Sequence, residues 1–350
     1  GARCEPVVDR KLLGYILILP SVSQPTHPSR FTAPQRLTGF DDIIGESRVM
    51  RDTCATAQKM AQSGAPILIE GETGVGKELF ARAVHGEAQR AGAFVPINCG
   101  AMPRELIASE LFGHEKGAFT GADRSVAGKI EMANGGTLCL DEIGELPLDM
   151  QPYLLRVLED GIVYRIGSHQ EKHVNISLVS MTNRHLAKEV EKVGFRQDLF
   201  YRIATLRLRI PPLRERGDDV LLIAEALCRA LAVQRGCAPL SLSNEVQDCL
   251  RRYHWPGNVR ELRNVLEMAL LMASGSRIEI HDLPEDVRMG KEALPVTGVG
   301  YSSPSDLRTS EEFLIKEAIA RQGGNLTQAA KQLGIARSTL YSRLAKAAQR

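Results

Sequence analysis

From Phe40 to about Pro212, short apolar runs of strand length alternate with longer amphipathic stretches. That alternation predicts a mostly parallel sheet covered by helices, an α/β subdomain over 40–212. The clearest buried strands are Pro66 to Ile69, Phe94 to Asn98, Thr137 to Leu140 and Ile176 to Met181. Leu206, Leu208 and Ile210 alternate with Arg207 and Arg209, so a fifth strand exposes one face or carries charge toward a neighbour. Pro211 and Pro212 then end the sheet.

Beyond that point the pattern changes to helical periodicity. Val220 to Leu231, Ser243 to Tyr253 and Asn258 to Ala273 read as helices of a smaller subdomain over 213–284. The stretch 285–305, with Pro295, Gly298, Gly300 and Pro304 among small polar residues, reads as a flexible linker, and a compact helical unit occupies 306–350. At the other end, Leu12 to Leu19 is an apolar run that lacks a signal-peptide cleavage site and is too short to span a bilayer. We expect residues 1–39 to be a remnant strand of an upstream regulatory domain followed by the linker Pro20 to Pro34. The first residue is Gly1, so a native start is not shown.

Composition narrows the picture only a little. A content of 43% hydrophobic and 25% charged residues is ordinary for a globular protein, and a net charge of +2 means that any nucleic-acid surface must be local. The cysteines (Cys4, Cys54, Cys99, Cys139, Cys228, Cys237, Cys249) are odd in number and never form a C-x-x-C pair, which argues against a disulfide frame or zinc site and fits a reducing cytoplasm. His169 and His173 have the spacing of two metal ligands on a helix, but Gly167, Gln170 and the β-rich run after them predict a hairpin with both on its surface.

The chemistry begins at Gly71, Glu72, Thr73, Gly74, Val75, Gly76 and Lys77, which follow a predicted strand and precede a helical run. This is the setting of a phosphate loop: backbone amides and a helix N-terminus cradle phosphates while Lys77 reaches the β and γ groups of ATP. Glu78 stands where the generic motif has a Ser or Thr ligand for Mg²⁺, so metal binding must rely on other groups. The strand ending in Asp141 and Glu142 supplies them, with Asp141 organising Mg²⁺ and Glu142 polarising the attacking water. The alternative is that the two acids cap the segment beginning at Ile143.

Between these halves lie Gly117, Ala118, Phe119, Thr120, Gly121 and Ala122, with charged residues on both flanks. One aromatic among glycines suits a mobile contact loop, or a ring tucked under its own loop.

These motifs together resemble the central domain of bacterial sigma-54-dependent activators, which are enhancer-binding proteins of the AAA+ class. The resemblance runs from about Phe40 to Leu283 and rests on the phosphate loop with Glu78, on ELFGHEKGAFTGA at Glu110 to Ala122, on GGTLCLDEIGELP and on WPGNVREL at Trp255 to Leu262. It implies a hexameric ring that uses ATP to remodel the closed complex of sigma-54 RNA polymerase, with Gly117 to Ala122 touching sigma-54. It implies further that Asn98 positions Glu142, that Thr182 and Asn183 form a nucleotide sensor, that Arg260 in the lid is a second sensor, and that Arg196 and Arg202 are fingers donated across the subunit interface. On spacing alone those two arginines read as a solvated basic face.

Asn325 to Leu344 has helix-turn-helix spacing and resembles the Fis-type DNA-binding unit that ends many such activators. Arg337, Ser338, Thr339, Tyr341, Ser342 and Arg343 are expected to face double-stranded DNA. Lys316, Arg321, Lys331, Lys346 and Arg350 outnumber Glu311, Glu312 and Glu317 and supply the local basic surface. Ala336 departs from the Ser or Thr that commonly caps the recognition helix, a loss of about 0.5–2 kcal/mol. The competing readings are a helical hairpin used only for dimerisation, an AAA+ remodeller of another substrate, and an ATP- and DNA-binding repressor.

Overall fold

The computed structural model describes residues 3–9, 11–18, 39–273, 275–290 and Leu326. Its contacts divide the chain into two units, 1–292 and 293–350.

Five parallel strands form the central sheet: β1 (Ile67–Glu70), β2 (Phe94–Asn98), β3 (Thr137–Asp141), β4 (Ser177–Thr182) and β5 (Leu206–Arg209). Their order is β5-β1-β4-β3-β2, so every neighbouring pair requires a crossover and each crossover packs a helix on a face. The expected α/β fold is borne out, with β1 and β4 shifted by one residue and β3 extended by one to Asp141. β4 lies in the middle and is buried at all six positions despite two serines and a threonine. β5 is the edge strand and realises both sequence readings: Arg207 is exposed, and it forks onto Glu70 of β1 with contacts of 2.9–3.1 Å.

The helices of this subdomain are α1 (Arg48–Gln62), α2 (Lys77–Glu87), α3 (Arg104–Phe112), α4 (Lys129–Met132), α5 (Gln151–Asp160), α6 (Leu186–Glu191) and α7 (Gln197–Ile203). Two apolar cores result, one on each face of the sheet. Phe80, Val84 and Met50 of α2 and α1 pack on one face, and Ile107, Leu111, Leu154 and Leu199 of α3, α5 and α7 on the other. Ile162–Val163 pairs antiparallel with Lys172–His173, which is the hairpin anticipated around His169.

A third core holds the lid, built from α8 (Asp219–Arg235), α9 (Asn244–Arg252), α10 (Asn258–Met272) and α11 (Glu285–Met289). The first residues of the expected linker, Glu285–Met289, are therefore helical. Pro284 opens a further helical turn with Glu285 and Asp286 at its positive end, and Val287 is buried in the lid core. At the N-terminus the expected strand also has a partner, Arg3–Asp9 pairing antiparallel with Lys11–Ile18. No helix among the described residues is long and apolar enough to cross a membrane.

Buried polar groups join the lid to the sheet. Asp219 accepts from the Glu46 and Ser47 amides at 2.7 and 2.9 Å and from Ser47 Oγ at 2.6 Å, which ties the start of α1 to the start of α8. Arg216 donates to the carbonyls of Pro211 and Val75, and burial pulls its guanidinium down to about 10. Asn258 is wholly buried: its Oδ1 accepts from the Leu213 amide at 2.8 Å, while Nδ2 donates at 3.1 Å to both Glu72 Oε2 and the Thr73 carbonyl. Asn258→Ala would leave those buried groups unpaired. It is expected to lower unfolding stability by about 2–3 kcal/mol, read as a reduced denaturant midpoint, and to weaken nucleotide affinity in the same variant.

Candidate functional site

The carboxyl ends of β1, β2, β3 and β4 form one edge, and the strand register decides which side chains meet there. Asn98 pairs with Asp141 and Thr182 with Glu70. Crevices at such edges are where open parallel sheets bind ligands.

β1 runs into Gly71, Glu72, Thr73, Gly74, Val75 and Gly76, and α2 starts at Lys77. Gly74 and Gly76 have φ of +80° and +103°, backbone that a side chain would strain. At Gly74 space also forbids one: an added Cβ would lie 2.3 Å from the Gly257 carbonyl of the lid. Lys77 is buried and its Nζ donates to the carbonyls of Gly71 at 3.0 Å and Glu72 at 3.3 Å. Glu72 is held by Arg214 through contacts of 2.6 and 2.8 Å, so it braces the loop on the lid side. Glu78 instead pairs with Arg82 one turn along α2.

Asp141 and Glu142 follow β3. Glu142 sits at φ +51°, ψ 51°, an unusual conformation for a non-glycine residue that costs about 1–3 kcal/mol and concentrates at functional sites. Burial pushes both carboxyls up, and the Lys77 ammonium pulls them back in part. Burial in turn pulls Lys77 down, countered by Glu142 and Asp141 and reinforced by Arg260. The cluster is thus desolvated charge that a bound polyanion and cation would complete. Its donor set fits Mg-ATP: loop glycines, the orphan first-turn amides of α2, one lysine and two carboxylates.

Asn98 Nδ2 donates to Asp141 Oδ2 at 3.3 Å, and its Oδ1 accepts from the Gly100 and Ala101 amides. The expected link from Asn98 to Glu142 is therefore replaced by one to Asp141, because the register sets those two residues side by side. Asn183 spans the site. Its Nδ2 donates to Thr73 Oγ1 at 3.1 Å, and its backbone helps to hold the Glu142 carboxyl down. Thr182 Oγ1 accepts from the Arg184 amide. Arg260, on α10, lies over the loop with its Cβ 3.0 Å from where a Gly74 Cβ would stand.

Arg196 and Arg202 stand apart from this cluster. Arg196 pairs with Asp198, Arg202 donates to the Leu158 carbonyl, and both arginines are exposed at the two ends of α7.

Gly117 to Ala122 closes on itself. The Gly117 amide donates to the Ala122 carbonyl at 2.9 Å and the Ala122 amide to the Phe119 carbonyl at 3.0 Å, while Gly117 and Gly121 turn the chain at φ +82° and +97°. Phe119 is 43% exposed, which answers the choice between a tucked ring and an offered one. A four-residue ion network grips the base. Arg165 of the 162–173 hairpin bonds Glu131 bidentately at 2.7 and 2.9 Å and Glu115 at 3.0 Å, and Lys172 adds a 2.7 Å contact to Glu131.

Sequence reasoning missed Asn258, Arg214, Arg216, Asp219 and this Arg165 fork. The turn WPGN did carry a signal, since Trp255 and Asn258 both take φ of +52°, where asparagine is over-represented. Arg337, Ser338, Thr339, Tyr341, Ser342 and Arg343 lie outside the described residues.

Comparison with known proteins agrees with this geometry. The family described as the sigma-54 interaction domain matches residues 43–209, the AAA+ ATPase lid domain 214–297, and the Fis family of bacterial regulatory proteins 307–346. A protein named limonene hydroxylase from Geobacillus stearothermophilus is 46% identical over 311 residues, covering 87% of this chain and 56% of its own. The response regulator PilR of Pseudomonas aeruginosa is 41% identical over 312 residues, covering 87% and 69%. The crystal structure of NtrX from Brucella abortus in complex with ADP superposes with a TM-score of 0.67 at 29% identity, covering 88% of this chain and 70% of that one. The chain spans about half to two thirds of the length of the curated relatives it matches. With three consecutive domains matched and an intact nucleotide edge, the chain belongs to the sigma-54-dependent transcriptional activators, AAA+ proteins with a Fis-type helix-turn-helix.

Proposed function

We propose that this protein is a cytoplasmic ATPase that binds upstream double-stranded DNA and, as a hexameric ring, drives sigma-54 RNA polymerase from closed to open complex. The observation that carries the reading is the joining of two sites by one subdomain: a desolvated phosphate-loop edge, and a closed turn presenting Phe119 and Thr120 on an ion-paired base.

In this reading the amides of Gly71 to Lys77 bind the ATP phosphates, and Lys77 leaves its loop carbonyls to meet the β and γ groups. Asp141 would hold Mg²⁺, which would supply charge neutralisation at the transferred phosphoryl group. Glu142 orients the water and takes its proton as the bond to the γ-phosphorus forms and ADP departs. Asn98 holds Asp141 in place, and Asn183 links Glu142 to the loop through Thr73. Arg260 brings the lid to the phosphates. Arg196 and Arg202, exposed on α7, serve the site of the neighbouring copy, so that hydrolysis requires assembly. The C-terminal unit, through Arg337, Ser338, Thr339, Tyr341, Ser342 and Arg343, tethers the ring to DNA.

Glu142→Gln is expected to keep ATP affinity and to lower turnover about 10²–10⁴-fold in a phosphate-release assay; turnover at the wild-type rate would remove Glu142 from the chemistry. Arg202→Ala alone should lose about 10³-fold or more, yet mixing it with Glu142→Gln protein should restore activity, because mixed interfaces then hold one intact site. Mixtures that stay inactive contradict donation between subunits. Thr120→Ala should hydrolyse ATP within about twofold of wild type and fail to form open complexes in a purified sigma-54 transcription assay. Full activation by that variant would refute the contact turn and leave the ATPase reading untouched.

A further inference from the structure

The nucleotide chemistry does not account for His114. Its backbone is gripped on both sides, by antiparallel pairing with Val126 and by a parallel bridge to Ile166. In that bridge the Glu115 amide donates to the Ile166 carbonyl at 3.0 Å, and the Ile166 amide to the Gly113 carbonyl at 2.9 Å. The imidazole is fixed as well, since its Nδ1 lies 2.7 Å from Ser109 Oγ on α3 in a hydrogen bond. Edge to face with this fixed ring stands Phe119, with centroids 5.0 Å apart and planes at 64°.

We propose that His114 is a positioning residue: a platform, oriented by Ser109, that holds the Phe119 ring erect for the sigma-54 partner. The inference rests on the contact role of Gly117 to Ala122 given above. The terminal torsion of an aromatic side chain is broad, so packing alone would leave the platform ring free to turn; the Ser109 bond selects one orientation. An aromatic pair of this kind favours the packed arrangement by about two- to tenfold. A second prop comes from the hairpin, where Gly167 faces Ala118 so closely that an added Cβ would lie 2.9 Å from the Ala118 Cβ. Phe119 is thus the exposed end of a stack on His114, which is braced in turn by α3 through Ser109, while the hairpin supports the turn at Ala118 through Gly167.

The test uses the full chain labelled with 4-fluorophenylalanine, the Phe119 fluorine resonance being assigned by its loss in Phe119→Leu. In His114→Ala this resonance should move toward that of the free amino acid, in His114→Phe it should return most of the way, and Ser109→Ala should fall between. Open complexes formed per ATP hydrolysed should drop about two- to tenfold in His114→Ala and recover in His114→Phe, with ATPase rates unchanged throughout. A structural role alone would instead move melting temperature, ATPase and activation together. An unmoved resonance in His114→Ala, or His114→Phe as defective as His114→Ala, overturns the proposal. If Phe119→Leu abolishes activation while His114→Ala matches wild type, the platform falls and the contact turn stands. Should both variants activate fully, the contact reading falls and takes the platform with it.

Discussion

The structure depends on charge held out of water at the carboxyl edge of a buried parallel sheet. Lys77 is buried and Asp141 and Glu142 are half-buried; burial shifts each toward its neutral form, the two carboxylates resisting the shift of Lys77 and Lys77 resisting theirs, while Asp141 adds to the shift of Glu142. Such a cluster is tolerable only where a rigid frame prevents it from relaxing into solvent. The frame here is the five-stranded sheet with two apolar cores, which fixes the strand ends through main-chain bonds. Glu142 shows the same constraint in its backbone: the left-handed conformation persists because Ile143, fully buried, anchors the turn that follows.

From that edge, order passes outward along two lines of different chemistry. Toward the lid it is carried by buried neutral and charge-assisted hydrogen bonds through Asn258, Arg216 and Asp219. Toward the Phe119 turn it is carried by partly exposed ions, with Arg165 at the centre of a fork to Glu131 and Glu115. The first kind is insensitive to salt and strict in geometry, whereas the second is partly screened and more easily rearranged. A rigid frame at the phosphate-loop edge and a more adjustable one at the Phe119 turn suit the function proposed above.

Most of the sheet is legible in the sequence, because a strand buried on both faces must be written as a continuous apolar run. The phosphate loop is legible for a related reason: only glycine tolerates the backbone that Gly74 and Gly76 adopt. What escapes reading is buried polarity. Arg216 and Asp219 look like solvated charge in a string rich in both signs, and only the fold reveals that each is buried against main-chain groups. The strand Arg3–Asp9 escapes because RCEPVVD has neither alternation nor an unbroken apolar run. The helix α11 escapes because its charged face resembles a linker until Val287 is placed in the lid core.

Gly74 and Gly257 meet across the join between loop and lid with no room for even a methyl group. Contact that close makes the lid angle and the shape of the phosphate loop a single variable. By thermodynamic reciprocity, whatever factor nucleotide contributes to closing the lid, a force that opens the lid must subtract from nucleotide affinity. With nucleotide bound as proposed, a pull on the lid would therefore be felt as ligand release, a strain gauge read out in bound nucleotide.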